Sequence, residues 1–416
     1  MFLLYEALLY LVFLLGLPFF LITGILRGKY ISILPQRFGF RLGHASAHDL
    51  WVHAVSVGET LAVRPVIERV LQQRPATSLL FTTTTITGQA QARRAYPNAT
   101  VTYFPFDFTF SVWRFLRHYQ PRVHVAVETE IWPNVTRLAG HFGVRMLLAN
   151  GRISDRSYPR YRAIRFALRK ILANYERILV REEIDRDRFV AIGAPPDLVE
   201  ITGNVKFDYQ PDPRPLEVAD ELNSLIAGRR VAVLASTREG EDEQLIPRIE
   251  ALGARFFFVV APRKPERFDS VSALLRRTSL RMLRRSELQR GGSGETDVLL
   301  LDSMGELARI YAHAHVAFIG GSLVDTGGHN PIEPAAAGVP VCFGPSMTNF
   351  RDIASLLIEG GGAREVRSAD EAAEFIEMML EGPEVAERWG AAGRRVVEGN
   401  RGASERTARR ILELLP

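Results

Sequence analysis

The sequence predicts an α/β protein of two Rossmann-like, parallel-sheet domains behind an N-terminal apolar helix. Three observations lead there. The 416 residues exceed what one hydrophobic core usually serves. Short apolar, β-branched runs alternate with helical segments along the chain. A proline-rich stretch, YQPDPRP at 209–215, interrupts that alternation midway. With 47% hydrophobic and 24% charged residues, the composition is that of a folded chain.

Taken in order, residues 3–26 are almost continuously apolar, and roughly 20 such residues suffice for a bilayer-crossing helix. No positive n-region precedes the run and no A-x-A-like site follows it, which argues against a cleaved signal peptide. Arg27, Lys29, Arg37 and Arg41 follow directly, so the positive-inside bias places the rest of the chain in the cytoplasm. Glu6 and Pro18 leave open a helix lying in one leaflet. Residues 1–28 are therefore expected to be a membrane anchor.

Residues 51–55, 78–83, 123–127, 144–149 and 177–180 read as buried strands, with helices over 61–74, 88–95 and 158–174. Such alternation implies a parallel sheet covered on both faces. Beyond the 209–215 linker it resumes, with strands over 230–236, 255–261, 297–302, 316–319 and 339–343. The expected division is one domain over 29–209 and a second over 210–416. Ligands in such sheets bind at the C-terminal ends of the strands.

A single cysteine, Cys342, excludes an intrachain disulfide and a thiolate cluster. The net charge of +5 is modest, but Arg152, Arg156, Arg160, Arg162, Arg165 and Arg169 crowd one stretch and a second cluster lies within 276–290. On one helix Arg162, Arg165 and Arg169 would share a face. Such surface suits anionic lipid, nucleic acid or phosphorylated substrates, or is merely solvated. No P-loop, G-x-S-x-G or H-E-x-x-H motif occurs. The nine histidines show no metal-ligand spacing and no D-x-D motif stands ready for a metal-bound diphosphate, so no metal site is expected.

Four motifs lie in the first half, three at the ends of strands and the fourth just before the linker. In HAVSVGET, at 53–60, Gly58 allows a tight turn and close ligand approach. Glu59 falls at a helix N-terminus, which keeps a carboxylate ionised and suits a general base, although acids are common there for helix stability alone. In VETEIWPN, at 127–134, Glu128 and Glu130 make a polar wall beside an aromatic surface, or cap the next helix. NGRISDRS, at 150–157, offers guanidinium groups to phosphate or carboxylate. In GNVKFD, at 203–208, Lys206 would stabilise charge on a leaving group or form a salt bridge.

The second half carries GGSLVDTGGHNPIEPAAAGVPV at 320–341. Its glycines would let backbone approach a phosphate, and a helix opening near Pro331 would aim N–H groups at it. Glu333 would accept from ribose hydroxyls. Pro262 and Arg263, and Met304, Gly305 and Glu306, follow other strands and would complete a nucleotide pocket, with Arg263 on the phosphate.

Together HAVSVGE, ETEIWPN, NGRISDRS, GNVKFD and the glycine-rich segment resemble the 3-deoxy-D-manno-octulosonic acid (Kdo) transferase family in order and spacing, over essentially the whole chain. The resemblance implies the two-domain GT-B fold and inverting transfer of Kdo from CMP-Kdo to the 6′-hydroxyl of lipid IV-A; with the motifs and charge bias above, the expectation is transfer without a cofactor or metal at the cytoplasmic face of the inner membrane. By this likeness Glu59 is the general base, and Glu130 and Lys206 stabilise the transition state. Pro262, Arg263, Met304 to Glu306, and Asn330, Pro331, Ile332 and Glu333 bind CMP. The implied partners are donor, lipid acceptor and membrane surface, with no nucleic acid. Another nucleotide-sugar transferase, a same-fold epimerase or a tethered anionic-lipid binder are the competing readings, separable by CMP against UDP binding and by the effect of Glu59→Gln.

Overall fold

The computed structural model describes residues 2–27, 31–209, 216–288 and 294–416, with backbone only for 18–27 and 31. The linker expected at 209–215 lies, from residue 210 on, outside the described residues. The chain forms two compact α/β units, 1–208 together with 401–416, and 209–400. The last helix, Ala403–Leu414, thus belongs to the first unit, where the sequence had placed it in the second.

In the first unit the strands are β1 (His48–His53), β2 (Leu79–Thr83), β3 (Thr100–Tyr103), β4 (Pro121–Val127), β5 (Arg145–Gly151), β6 (Arg177–Val180) and β7 (Val199–Ile201). They form one parallel sheet in the order β3-β2-β1-β4-β5-β6-β7. Val52 registers with Phe81 on one side and Val125 on the other, all three buried. Continuous apolar strands are what a sheet covered on both faces requires. One face packs Trp51, Phe115, Leu148 and Ile178, and the other packs Val52, Val66, Phe81 and Leu147. Ala408 and Ile411 of the last helix complete this second layer, and burying an Ile side chain stabilises by about 1.5–3 kcal/mol. Asp208 anchors the helix start by accepting the N–H groups of Gly402 (2.7 Å) and Ser404 (2.5 Å).

The second unit holds β8 (Val231–Thr237), β9 (Phe257–Pro262), β10 (Met282–Arg284), β11 (Val298–Leu300), β12 (Val316–Ile319), β13 (Val341–Phe343) and β14 (Ala363–Glu365). They too are all parallel, in the order β10-β11-β9-β8-β12-β13-β14. In each sheet the winding reverses beside the first strand, between β1 and β4 and between β8 and β12. At such a switch point the adjoining loops part and leave room for a ligand.

The N-terminal helix runs over Phe2–Arg27. Phe13 packs edge-on against Phe38 (5.4 Å) and Phe108 (5.6 Å), and Tyr10 stacks on Phe108 (4.8 Å), while Leu3, Leu4, Leu8, Leu11 and Leu15 are exposed. Among the described residues no helix is long and apolar enough to cross a membrane; the side chains of the expected anchor from residue 18 on lie outside them.

The helix expected over 158–174 is two, Tyr158–Ala163 and Arg165–Leu172, with Ile164 off helical geometry at φ −105° and ψ 18°. Arg162 therefore does not continue the face that carries Arg165 and Arg169. Leu168, Ile171 and Leu172 are buried, leaving the cations outside and Phe166 77% exposed.

Candidate active site

In the first unit the chemistry-bearing loops converge on the switch point. β1 ends at His53, and Ser56 N-caps the helix Val57–Gln73. The Glu59 carboxylate accepts from the Val55 N–H (2.7 Å) and the Ser56 hydroxyl (3.0 Å), while Ser56 Oγ accepts from the Glu59 N–H (3.4 Å). This is a reciprocal cap of the capping-box kind, so Glu59 both terminates the helix and presents a carboxylate at the sheet edge. Burial pushes its pKa up, the Glu128 carboxylate adds to this, and the two hydrogen bonds oppose it. The result is about 7. Gly58 lies in the first helical turn without a positive φ, and an added Cβ would meet only Ser56 Oγ at 3.8 Å. The turn itself does not require glycine there.

β4 ends beside it. Glu128 adopts φ 63°, a left-handed conformation unusual for a residue with a Cβ, and its N–H bonds to Ala149 O at 2.8 Å. This bend turns its Oε1 onto Arg181 Nη2 (2.7 Å) and Lys206 Nζ (3.3 Å). Burial alone would raise the Glu128 pKa, but Arg181 and Lys206 outweigh it and hold the carboxyl below its ordinary value. The ends of β4, β6 and the turn after β7 are thereby tied into one charged cluster. Asn150, also left-handed at φ 58°, accepts the Val205 N–H at 3.2 Å and fixes the turn that carries Lys206.

Glu130 sits apart from that pair. Its Oε2 receives Trp132 Nε1 at 2.8 Å and lies 3.7 Å from His53 Nε2. His53 is fully buried, stacked on Phe104 at 3.7 Å, with Nδ1 3.1 Å from Thr82 O.

In the second unit the glycine-rich segment follows β12. Its first N–H groups are already taken: the buried Glu241 carboxylate accepts from Gly321 (2.6 Å), Ser322 (2.9 Å), Leu323 (2.9 Å) and Arg238 (2.9 Å). Within the glycine-rich segment, the N–H groups of 321–323 are thus held in a structural clamp at the switch point. Gly320 is there for close backbone approach, since a Cβ would sit 2.5 Å from Ser236 O. Likewise the Ile332 N–H is capped at 3.1 Å by the Asn330 side chain, which also donates to Glu333 at 3.2 Å. Burial raises the Glu333 pKa against Asn330 and Arg263, and burial with Arg263 and Arg238 lowers His329 to about 4, so its imidazole is neutral at pH 7. Arg263, Arg238, His329 and Glu333 therefore form one electrostatic neighbourhood.

Residues 33–209 match the family model described as 3-Deoxy-D-manno-octulosonic-acid transferase (kdotransferase). The 3-deoxy-D-manno-octulosonic acid transferase of Haemophilus influenzae is 36% identical over 396 residues, covering 93% of this chain and 91% of that protein. The Bordetella pertussis protein of the same description is 36% identical over 399 residues, covering 91% of each. This chain belongs to the Kdo transferase family. Among solved structures, a UDP-GlcNAc 2-epimerase from Neisseria meningitidis matches with a TM-score of 0.60 at 14% identity, over 88% of this chain and 100% of that one. That likeness shows the fold alone, two parallel-sheet α/β units as in GT-B proteins.

In this member of the family the structure brings Glu59, Glu128 and Lys206 together, with Glu130 on the adjoining turn. Sequence reasoning gave neither Glu128 nor Arg181 a catalytic role, and their ion pair at 2.7 Å joins both to this cluster. Glu128 was visible as one of a pair of acids, and Arg181 as a cation directly after a strand. Of the nucleotide-site candidates, Pro262 ends β9 and is buried, and the Arg263 N–H bonds to Thr237 O at 3.0 Å. Met304 is exposed and Gly305 turns the chain at φ 87°. Glu306 is committed to a buried ion pair with Arg285 at 2.8 Å and to the Ser303 hydroxyl. That pair also accounts for part of the basic 276–290 cluster, as do Arg281 with Asp297 (2.8 Å) and Arg284 with Asp269 (2.7 Å). Arg290 lies outside the described residues.

Proposed function

We propose that this chain is an inverting glycosyltransferase that moves Kdo from CMP-Kdo to the 6′-hydroxyl of lipid IV-A, with Glu59 as general base and without a metal. The observation that carries the reading is the Glu59 carboxylate, held at the sheet switch point with a pKa near 7 beside an ionised Glu128. A base with a pKa close to the working pH combines availability with driving force for proton transfer. Glu59 takes the acceptor hydroxyl proton as the acceptor oxygen bonds to the anomeric carbon of Kdo. The bond from that carbon to the phosphate oxygen breaks, and CMP leaves with the electron pair. Lys206 and Arg181, oriented by Glu128, supply positive charge beside that carboxylate. This supports protein-based rather than metal-based charge stabilisation.

The acceptor is lipid-borne in this reading, and the surface suits it. Residues 156–175 contain six basic and no acidic residues, and Ile164 and Phe166 are exposed among them. Such a segment, with the exposed leucines of the N-terminal helix, fits an anionic membrane surface, here the cytoplasmic face of the inner membrane. Donor class is tested by calorimetric titration of the protein with CMP and with UDP in EDTA. The reading expects CMP to bind and UDP to bind at least tenfold more weakly; the reverse order would assign a different donor.

A further inference from the structure

Glu6 is an acid in an otherwise apolar helix, a placement that membrane attachment alone disfavours. Its carboxylate accepts from the Thr109 N–H (3.0 Å), the Thr109 hydroxyl (2.9 Å) and Asn134 Nδ2 (2.6 Å). One residue earlier, the Tyr5 hydroxyl donates to Asp107 Oδ2 at 2.8 Å. Asp107 accepts from the backbone N–H groups of Asn134 (3.0 Å) and Val135 (2.8 Å), in the first turn of the helix Pro133–His141. That helix has Trp132 at its N-cap, which offers no capping oxygen. Its cap therefore comes from Asp107, which is braced by Tyr5, while Glu6 holds the Asn134 side chain. Trp132 in turn donates to Glu130 at 2.8 Å. Hydrogen bonds thus tie the first two turns of the N-terminal helix to Asn134 and Val135, and the chain through Pro133 joins these to Trp132 and the turn 128–132 that carries Glu128 and Glu130.

We propose that the N-terminal helix is a positioning strut for the active site: through Glu6 and Tyr5 it fixes the start of Pro133–His141, and with it the turn 128–132. Turnover then depends on the helix being docked, beyond any holding of the protein at a membrane. The inference rests on the reading that this turn serves Kdo transfer. Glu6 and Tyr5 are positioning residues and touch no reacting atom.

Glu6→Leu separates the two roles, because it makes the helix more apolar while removing the acceptor for Thr109 and Asn134. In the full-length protein with lipid IV-A in mixed micelles, the strut predicts undiminished partition to vesicles and a folded thermal transition. It predicts a kcat lower by about tenfold or more, since ångström-scale misplacement costs on that order, at little-changed acceptor KM. Glu6→Gln, which keeps an acceptor for Asn134, recovers most of that kcat. Amide hydrogen exchange over 130–135 speeds up in Glu6→Leu, a readout independent of activity. Wild-type kcat in a folded Glu6→Leu protein, or unchanged exchange over 130–135, would overturn the strut. If Glu6→Leu does not fold, Glu6→Ala reads the same quantities without adding buried methyl groups. A wild type without Kdo transfer counts against the functional reading alone, and the exchange measurement still decides the strut.

Discussion

Lys206 and Glu128 form an ion pair, Nζ to Oε1 at 3.3 Å, and Arg181 approaches the same oxygen to 2.7 Å. Glu128 thus aims two cations rather than acting alone. Replacing Lys206 with Met is expected to lower kcat by about 10²–10³, the usual cost of removing one preorganised donor to developing charge. Glu128→Gln should lower it similarly, and the double variant by much less than the product, because both belong to one unit. Steady-state kinetics of the cycle check this; strict additivity would mean the pair is structural.

Glu59 is pushed to about 7 by burial and by Glu128. The kcat/KM profile should therefore rise with pH along an acidic limb near 7, as the base loses its proton. Glu128→Gln removes a negative neighbour, which makes the Glu59 proton easier to lose. The limb should move to lower pH even as the maximum falls. A limb that stays in place would separate the two carboxylates electrostatically.

The same shift has a stability consequence. The folded pKa of about 7 lies above the ordinary 4.5, so the native state holds this proton more tightly than the unfolded chain. The resulting stabilisation is full below 4.5 and is lost as pH rises through 7. Glu59→Gln, which titrates in neither state, should gain in Tm relative to wild type between pH 5 and pH 8. Thermal melts at the two values read this directly; a constant difference would contradict it.

Glu241 accepts four backbone N–H groups across the second switch point. Glu241→Ala leaves them unsatisfied in a buried turn and should cost about 3 kcal/mol or more, given about 1–3 kcal/mol for each orphaned group. Denaturant titration measures it. A loss under 1 kcal/mol would mean that the turn finds other partners.

Much of the fold could be read from sequence because its strands are buried on both faces and appear as mostly apolar runs, as in LLF at 79–81 and VAVLA at 231–235. What escaped reading was non-local. Nothing in YRAIRFALRK at 161–170 breaks a helix, yet the chain bends at Ile164 so that Leu168, Ile171 and Leu172 reach the core. The apolar stripe of the last helix is plain in sequence, but not which sheet it covers. Glu128 and Glu130 stand two residues apart, and only the left-handed turn at Glu128 decides which one meets Lys206. Spacing alone cannot reveal that a carboxylate some 80 residues upstream, Glu241, takes the N–H groups of 321–323 at the start of the glycine-rich segment.

The most direct test of the account is Kdo transfer from CMP-Kdo to lipid IV-A by the purified full-length protein in EDTA, comparing wild type with Glu59→Gln. The account predicts product from the wild type and a rate lower by about 10²–10⁴ in the folded variant. Equal rates would remove Glu59 from the chemistry, and a wild-type rate abolished by EDTA and restored by a divalent cation would contradict metal-free transfer.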